Sequence, residues 1–340
     1  YREEICLNGT WAFAPVQLPV GFKEGETPAP ALPGVNEVTF SKTPIRIPSP
    51  WNVNSFADKN GLGGDHRTYP SYPKEWESIK MGWLQKKFTV PASWKGKRIQ
   101  IHFEAVAGKT DIYVNGKAVG DNFDIFMPFD IDITDAVKFG QENTLNVGIQ
   151  KSSLFDDRKS PLGRRTYQGG SFWGQHIAGI WQDVYLVALP QTRVADVYIQ
   201  PIVNKNTLEV EVTLRNDENK PVEVNISAAA YPWISKAGKT VLTAANPSSQ
   251  LGSQAALQMP TQKVTIPAGK EIKTTLKTTV DNKLKLWSPS SPNLYGLVVK
   301  TSVNGKTNDS KYTRFGWRQT ELKDGKFWLN GKPFVLKGDS

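Results

Sequence analysis

Apolar and polar residues alternate with a period of two through most of this chain, the pattern of half-buried strands. Over 98–104, Ile99, Ile101 and Phe103 point to one side, and Gln100, His102 and Glu104 to the other. The stretch 111–119 reads as a hairpin, because Asn115-Gly116 suits the positive φ angles of a type I′ turn. Further strands are predicted over 144–150 and 180–187. No stretch keeps an apolar stripe at helical spacing beyond a turn or two. Short strands with dense turn residues predict an all-β chain built as sandwiches.

The texture changes near Pro190. Before it, tryptophans and long irregular stretches are frequent. After it come plainer strands, with Leu208, Val210, Val212 and Leu214 on one face, then Val222, Val224, Ile226 and Ala228. The cluster 216–221 separates them as a turn. About 120 residues of this kind fit an immunoglobulin-like sandwich without its disulfide. A last hairpin is expected at 327–336, with Phe327, Trp328 and Leu329 leading into Asn330-Gly331 and a return run of Phe334, Val335 and Leu336. A strand that then ends at Ser340 without a partner leaves unpaired backbone groups. The chain is therefore expected to be a fragment that continues past Ser340.

Two segments break the alternation. Residues 51–82 and 152–179 each exceed the ~12–15 residues beyond which structureless loops become uncommon in compact domains. Both are rich in Gly, Arg, Asp, Tyr and Trp. Their aromatic content argues against disorder, and long loops on a rigid sandwich usually carry function.

At 340 residues, 39% hydrophobic and 22% charged, the chain has room for two or three cores. No apolar run approaches the ~20 residues needed to span a bilayer, so no membrane partner is expected. The single Cys6 excludes a disulfide framework, and is expected to be a small buried residue of the first strand. His66, His102 and His176 show no ligand spacing, so neither metal nor any other cofactor is expected. The net charge of +10 is spread through strands and turns. With no basic helix and no nucleic-acid motif, nucleic acid is set aside as a partner, while an acidic substrate stays compatible.

Several stretches, in order, resemble one family. They are 7–13 (LNGTWAF), 47–52 (IPSPWN), 82–91 (GWLQKKFTVP), 114–117 (VNGK), 129–134 (FDIDIT) and 178–184 (AGIWQDV). Beyond Pro190 come 286–295 (LWSPSSPNLY), 315–318 (FGWR) and 327–338 (FWLNGKPFVLKG). Their order resembles the non-catalytic front half of family 2 glycoside hydrolases, the group of β-galactosidases, β-glucuronidases and β-mannosidases. The resemblance implies a jelly-roll, galactose-binding-like sugar-binding sandwich at 1–191 and an immunoglobulin-like sandwich at 192–315. Residues 316–340 would be a linker hairpin and the first strand of a (β/α)₈ barrel missing from the chain. The parent protein would be an exo-acting β-glycosidase, exported to the periplasm or beyond. Its two catalytic glutamates would lie downstream of Ser340, so the fragment itself is expected to be inactive and no catalytic residue is assigned to it. Retaining hydrolysis needs two carboxyls about 5–5.5 Å apart. The adjacent pair Asp156-Asp157 does not suit this, because neighbours in sequence diverge.

What this half is expected to contribute is a wall of the substrate pocket, touching the missing barrel. In the resembling galactosidases and glucuronidases an aspartate stands at the position of Trp173 and hydrogen-bonds the sugar. Tryptophan there would stack on a sugar face instead. Gln175 and His176 would supply hydrogen bonds. Arg158, Arg164 and Arg165 crowd the same segment, with Arg67, Tyr69 and Tyr72 in the other; guanidinium forks match carboxylates and point to an acidic oligosaccharide as partner. The alternatives are a stand-alone carbohydrate-binding module or adhesin, and a structural spacer.

Overall fold

The computed structural model describes residues 2–25, 28–52, 72–156, 177–234 and 250–337. The chain divides into two compact units, one over 4–188 and one over 189–340 together with the first three residues. Among the described residues there is no α-helix; short 3₁₀ turns and strands account for the regular structure.

The first unit is a sandwich of two antiparallel sheets. One has four strands in the order Glu3–Cys6, Val184–Leu189, Arg98–Phe103, Phe129–Asp132. The other runs Gly179–Ile180, Val106–Val114, Glu142–Gln150, Met81–Thr89, Gly9–Val16, Ile45–Ile47, with Lys117–Asp124 also paired to Val106–Val114. Ile99, Ile101 and Phe103 are fully buried between the sheets, as their alternation predicts, together with Trp11, Phe13, Trp51 and Trp76. The polar tips of these tryptophans are not wasted: Trp11 Nε1 donates to the Leu7 carbonyl at 2.8 Å. The Asn115-Gly116 turn has φ of 51° and 83°, as a type I′ hairpin requires.

The seven-stranded sheet is buried on its other face too. Ala14, Val16, Met81 and Trp83 form a second apolar cluster, covered by Leu18, Phe22, Leu32, Val35, Val38 and Phe40. The polypeptide between the strands Gly9–Val16 and Ile45–Ile47 thus lies over the outside of the sheet.

The second unit packs a three-stranded sheet (Thr192–Ile202, Thr207–Asn216, Glu271–Thr279) on a five-stranded one. The latter joins Leu257–Gln258, Val222–Pro232, Tyr295–Val303 and Lys306–Phe315, with Gln262–Ile266 also on Val222–Pro232. Leu208, Val210, Val212 and Leu214 share one core with Val224, Ile226 and Ala228. Asn216 closes the following turn: its Nδ2 donates to the carbonyls of Lys220 and Ile266 at 2.8 and 3.1 Å, and its Oδ1 accepts from the Glu218 amide at 2.9 Å.

Three expectations are corrected. The run 180–187 is not one strand, because the chain leaves the seven-stranded sheet at Ile180 and enters the four-stranded one at Val184. Asn8 fixes that crossing, its Nδ2 donating to Asp183 and its Oδ1 accepting from the Val184 amide. Cys6 is exposed, since Ile5 takes the inward side of an edge strand and sends its neighbour outward. At the C-terminal end, the Asn330-Gly331 turn forms with φ of 51° and 75°, but the return strand is only Lys332–Pro333. Phe334 adds one bond to the Phe327 carbonyl, and Val335 and Leu336 are exposed without ladder partners. The hairpin instead gains a strand before it, Thr320–Lys323, paired to Lys326–Leu329 across an Asp324-Gly325 turn.

Candidate functional site

All but one of the residues singled out for substrate contact lie outside the described residues: Arg67 and Tyr69 in 53–71, and Arg158, Arg164, Arg165, Trp173, Gln175 and His176 in 157–176. The exception, Tyr72, is buried against Trp76 in the core rather than presented to a ligand. What the structure does place is the sandwich from which both segments spring.

The last described residue before the first segment is bonded to the first residues after the second. Asn52 Oδ1 accepts the Ala178 amide at 2.9 Å, and the Trp51 amide donates to the Ala178 carbonyl at 3.1 Å. One step further back, the Ser49 amide donates to the Ile180 carbonyl at 2.9 Å. Residues 49–52 therefore run beside Gly179–Ile180, which itself pairs to Ala107 and Val106. Trp51 anchors this edge: it is fully buried, stacks on Phe13 at 5.0 Å, and donates from Nε1 to the Ile79 carbonyl at 3.0 Å. Gly179 has φ of +121°, which strains any side chain, and a Cβ there would stand a tight 3.1 Å from the Trp51 ring. Where the first segment returns, Tyr72 stacks on Trp76 at 5.2 Å and accepts the Arg46 amide at 3.1 Å. Burial pushes the Tyr72 phenol up, against the hydrogen bonds that favour its ionised form.

Beside this edge stands a rigid apolar knuckle. Asp124 Oδ1 accepts three successive amides, from Ile125, Phe126 and Met127, at 2.6, 2.7 and 2.8 Å. Desolvation works to raise the Asp124 carboxyl, but the three amides outweigh it and hold the group below the usual carboxylate range. The turn so formed presents Phe126 and Met127, 43% and 64% exposed. Trp181 meets Phe126 edge-on at 5.7 Å, and its Nε1 donates to the Ile125 carbonyl at 2.7 Å. Phe123, at the end of the same hairpin, packs on Phe155 at 5.0 Å, next to the start of the second segment.

Chemically this edge offers apolar and aromatic surface suited to the C–H faces of a sugar. The Asp124 carboxylate is committed to the turn rather than free as a base. Sequence reasoning missed Asn52, Asp124 and the knuckle. The signal was the apolar succession 125–129, which no half-buried strand explains.

The chain matches two family models in succession. Residues 5–190 match the sugar-binding domain of glycosyl hydrolases family 2, and residues 192–318 match a second model of glycosyl hydrolases family 2. It is 29% identical over 275 residues to a β-galactosidase of Thermoanaerobacter pseudethanolicus, covering 80% of this chain and 33% of that protein. It is 28% identical over 321 residues to a β-glucuronidase of Formosa agariphila, covering 89% of this chain and 29% of that protein. The fold is shared with Bacteroides uniformis β-glucuronidase 2, solved covalently bound to cyclophellitol-6-carboxylate aziridine. That match has a TM-score of 0.68 and 21% identity, over 99% of this chain and 35% of that one. The chain thus spans about a third of the length of these relatives. With both of its sandwiches matched by the family's own models, the chain belongs to the glycosyl hydrolases of family 2, whose N-terminal sugar-binding and immunoglobulin-like domains it carries.

Proposed function

We propose that the chain is the non-catalytic N-terminal portion of an exo-acting β-glycosidase, and that the edge formed by Asn52, Ala178 and Trp181 walls part of its substrate pocket. The observation that carries this reading is the direct bonding of Asn52 and Trp51 to Ala178, which springs two long segments rich in Arg, Tyr and Trp from one place. In the parent protein, residues from Val335 onward would begin a (β/α)₈ barrel that supplies the two catalytic carboxylates. The knuckle of Phe126, Met127 and Trp181 would face that barrel. The substrate is an oligosaccharide carrying acidic groups, with Trp173 against a ring and Arg164 or Arg165 on a carboxylate. The relatives named β-glucuronidase favour an acidic sugar, while Trp173 in place of the aspartate of the resembling galactosidases and glucuronidases argues against the usual sugar contact of either. Substrates of polysaccharide origin imply action in the periplasm or outside the cell, which fractionation of the producing cells would check.

The test uses the longer protein with paired aryl β-glucuronide and β-galactoside substrates. Trp173→Ala lowers kcat/KM on both. Arg164→Ala and Arg165→Ala lower it more on the glucuronide, increasingly so at low salt. Equal losses on both substrates would remove the acidic assignment, and no loss from any of the three would remove the pocket-wall role. The 340-residue chain alone should turn over neither substrate.

A further inference from the structure

We infer that the outer face of the seven-stranded sheet carries a separate glycan-binding cleft, between the strands Met81–Thr89, Val106–Val114 and Glu142–Gln150 and the overlying 29–40 segment. Its volume is about 860 Å³, within the range of ligand pockets. For its ligand class the inference rests on the carbohydrate reading above; its location does not.

Strand register lays out the floor. Lys109 stands opposite Gln150; Asp111 stands opposite Gly148, which faces Trp83; Tyr113 stands opposite Asn146, which faces Gln85. Successive rows are two residues apart, about 6.7 Å along the strands. Gly148 occupies the middle because nothing larger fits: a Cβ there would lie 2.4 Å from Leu32 Cδ2 and 2.9 Å from the Trp83 ring. Trp83 Nε1 donates to the Pro33 carbonyl at 2.9 Å, and Gln150 Nε2 to the Pro30 carbonyl at 2.6 Å. These two bonds hold the wall at a fixed height over one end of the floor, and the remainder stays open.

The groups facing the open part are incompletely used. Tyr113 is half-buried and edge-on to Trp83 at 5.7 Å, and its hydroxyl has no protein partner among the described residues. Gln85 Nε2 donates to Asn146 Oδ1 at 2.9 Å, which leaves the Gln85 carbonyl oxygen and the Asn146 amide nitrogen unpaired among the described residues. Lys109 Nζ contacts one oxygen of Asp111 at 2.6 Å, leaving the other oxygen open. A row of alternating donors and acceptors beside an aromatic ring suits a ligand whose hydroxyls both give and accept protons and whose C–H groups cover a ring. Lys109 is balanced by Asp111, and Glu37 also lines the cleft, so phosphate-bearing ligands are disfavoured. The amides and charges disfavour a purely apolar ligand. A neutral saccharide meets both conditions.

The experiment is affinity electrophoresis of the 340-residue chain in gels containing soluble galactan, arabinan or glucomannan, all of them uncharged. At least one polysaccharide should retard the wild-type chain. Tyr113→Ala should weaken that retardation at least fivefold. Because removing the whole ring can unsettle Trp83, Tyr113→Phe and Asp111→Asn serve beside it; each should weaken retardation at least twofold, with melting unchanged. Absence of retardation with all three polysaccharides, or equal retardation of wild type and all variants, overturns the cleft. The hydrolase reading is scored separately, by aryl β-glycoside turnover in the longer protein. Turnover without retardation removes the cleft alone; retardation without turnover removes the hydrolase alone.

Discussion

Arg2 grips Asp309 with both ends of its guanidinium. Nε donates to Oδ1 and Nη2 to Oδ2, each at 2.9 Å, although 307 residues separate the two in sequence. Asp309 is fully buried and also accepts the Val194 amide at 2.8 Å; Arg2 reaches the Val194 carbonyl in turn. The second sandwich is thus completed by the first residues of the chain.

Arg2→Ala would leave a buried carboxylate without its cation, at a cost of about 3–5 kcal/mol. Urea unfolding should show the loss in the transition of the second unit. Arg2→Met combined with Asp309→Leu should recover part of it, since no buried charge then remains, although the Val194 amide loses its acceptor. A single Arg2→Ala change that leaves the midpoint unmoved would contradict this account.

His102 sets a pH dependence in the first unit. Burial disfavours its imidazolium, but Asp130 at 2.7 Å from Nδ1 and Glu104 at 3.3 Å from Nε2 outweigh that and raise its pKa above 6.5. A raised histidine contributes its full stability below 6.5, and loses it as pH climbs through the folded value. The melting temperature of His102→Gln should therefore lie furthest below wild type in mildly acidic buffer, the gap closing above pH 6.5. A gap that widens with pH would reverse the sign and refute the charged pair.

Asp124→Ala releases three amides at once. Those of Phe126 and Met127 are exposed and can bond water, so the cost is about 1–2 kcal/mol rather than that of three buried bonds. The sharper effect is local: indole fluorescence of Trp181 should shift to longer wavelength as the Phe126 contact loosens. Because the carboxyl is held below 3.8, wild type should keep this geometry down to about that pH and lose it only below. An unchanged emission spectrum in the variant would mean the turn does not depend on Asp124.

Hydrogen exchange should divide the C-terminal stretch. Asn330 exchanges backbone and side-chain bonds with Gln319, and its Nδ2 donates to the Trp287 carbonyl at 3.0 Å. Arg318 lies over the Trp287 ring at 4.2 Å. Amides of Trp328 to Asn330 should be protected and those of Val335 to Lys337 should exchange freely. Protection running through Lys337 would show an ordered strand where the structure has none.

Much of the fold was legible because a half-buried strand writes its burial into its alternation: Ile99, Ile101 and Phe103, or Leu208 to Leu214, need no other information. The Asn-Gly turns at 115 and 330 were equally plain, since few residues take positive φ cheaply. The cover over the outer sheet face was not, because a strand buried on both sides, such as Met81–Thr89 at its start, loses its alternation. The break at Trp181 was hidden for another reason. Local pattern is continuous there, and the partner that interrupts it is Asn8, over 170 residues earlier. At the candidate site, resemblance pointed to 157–176, while the anchor, Asn52 to Ala178, joins positions 126 apart.

That anchor has an evolutionary consequence. Trp51, sealed in the core, and Tyr72, stacked on Trp76, root both ends of the 53–71 stretch in the sandwich. Lengthening a flexible connection costs only about 0.6 kcal/mol per doubling. Changes of length between positions 52 and 72 can therefore leave the buried contacts at both ends in place, and the core need not be rebuilt when that stretch diverges.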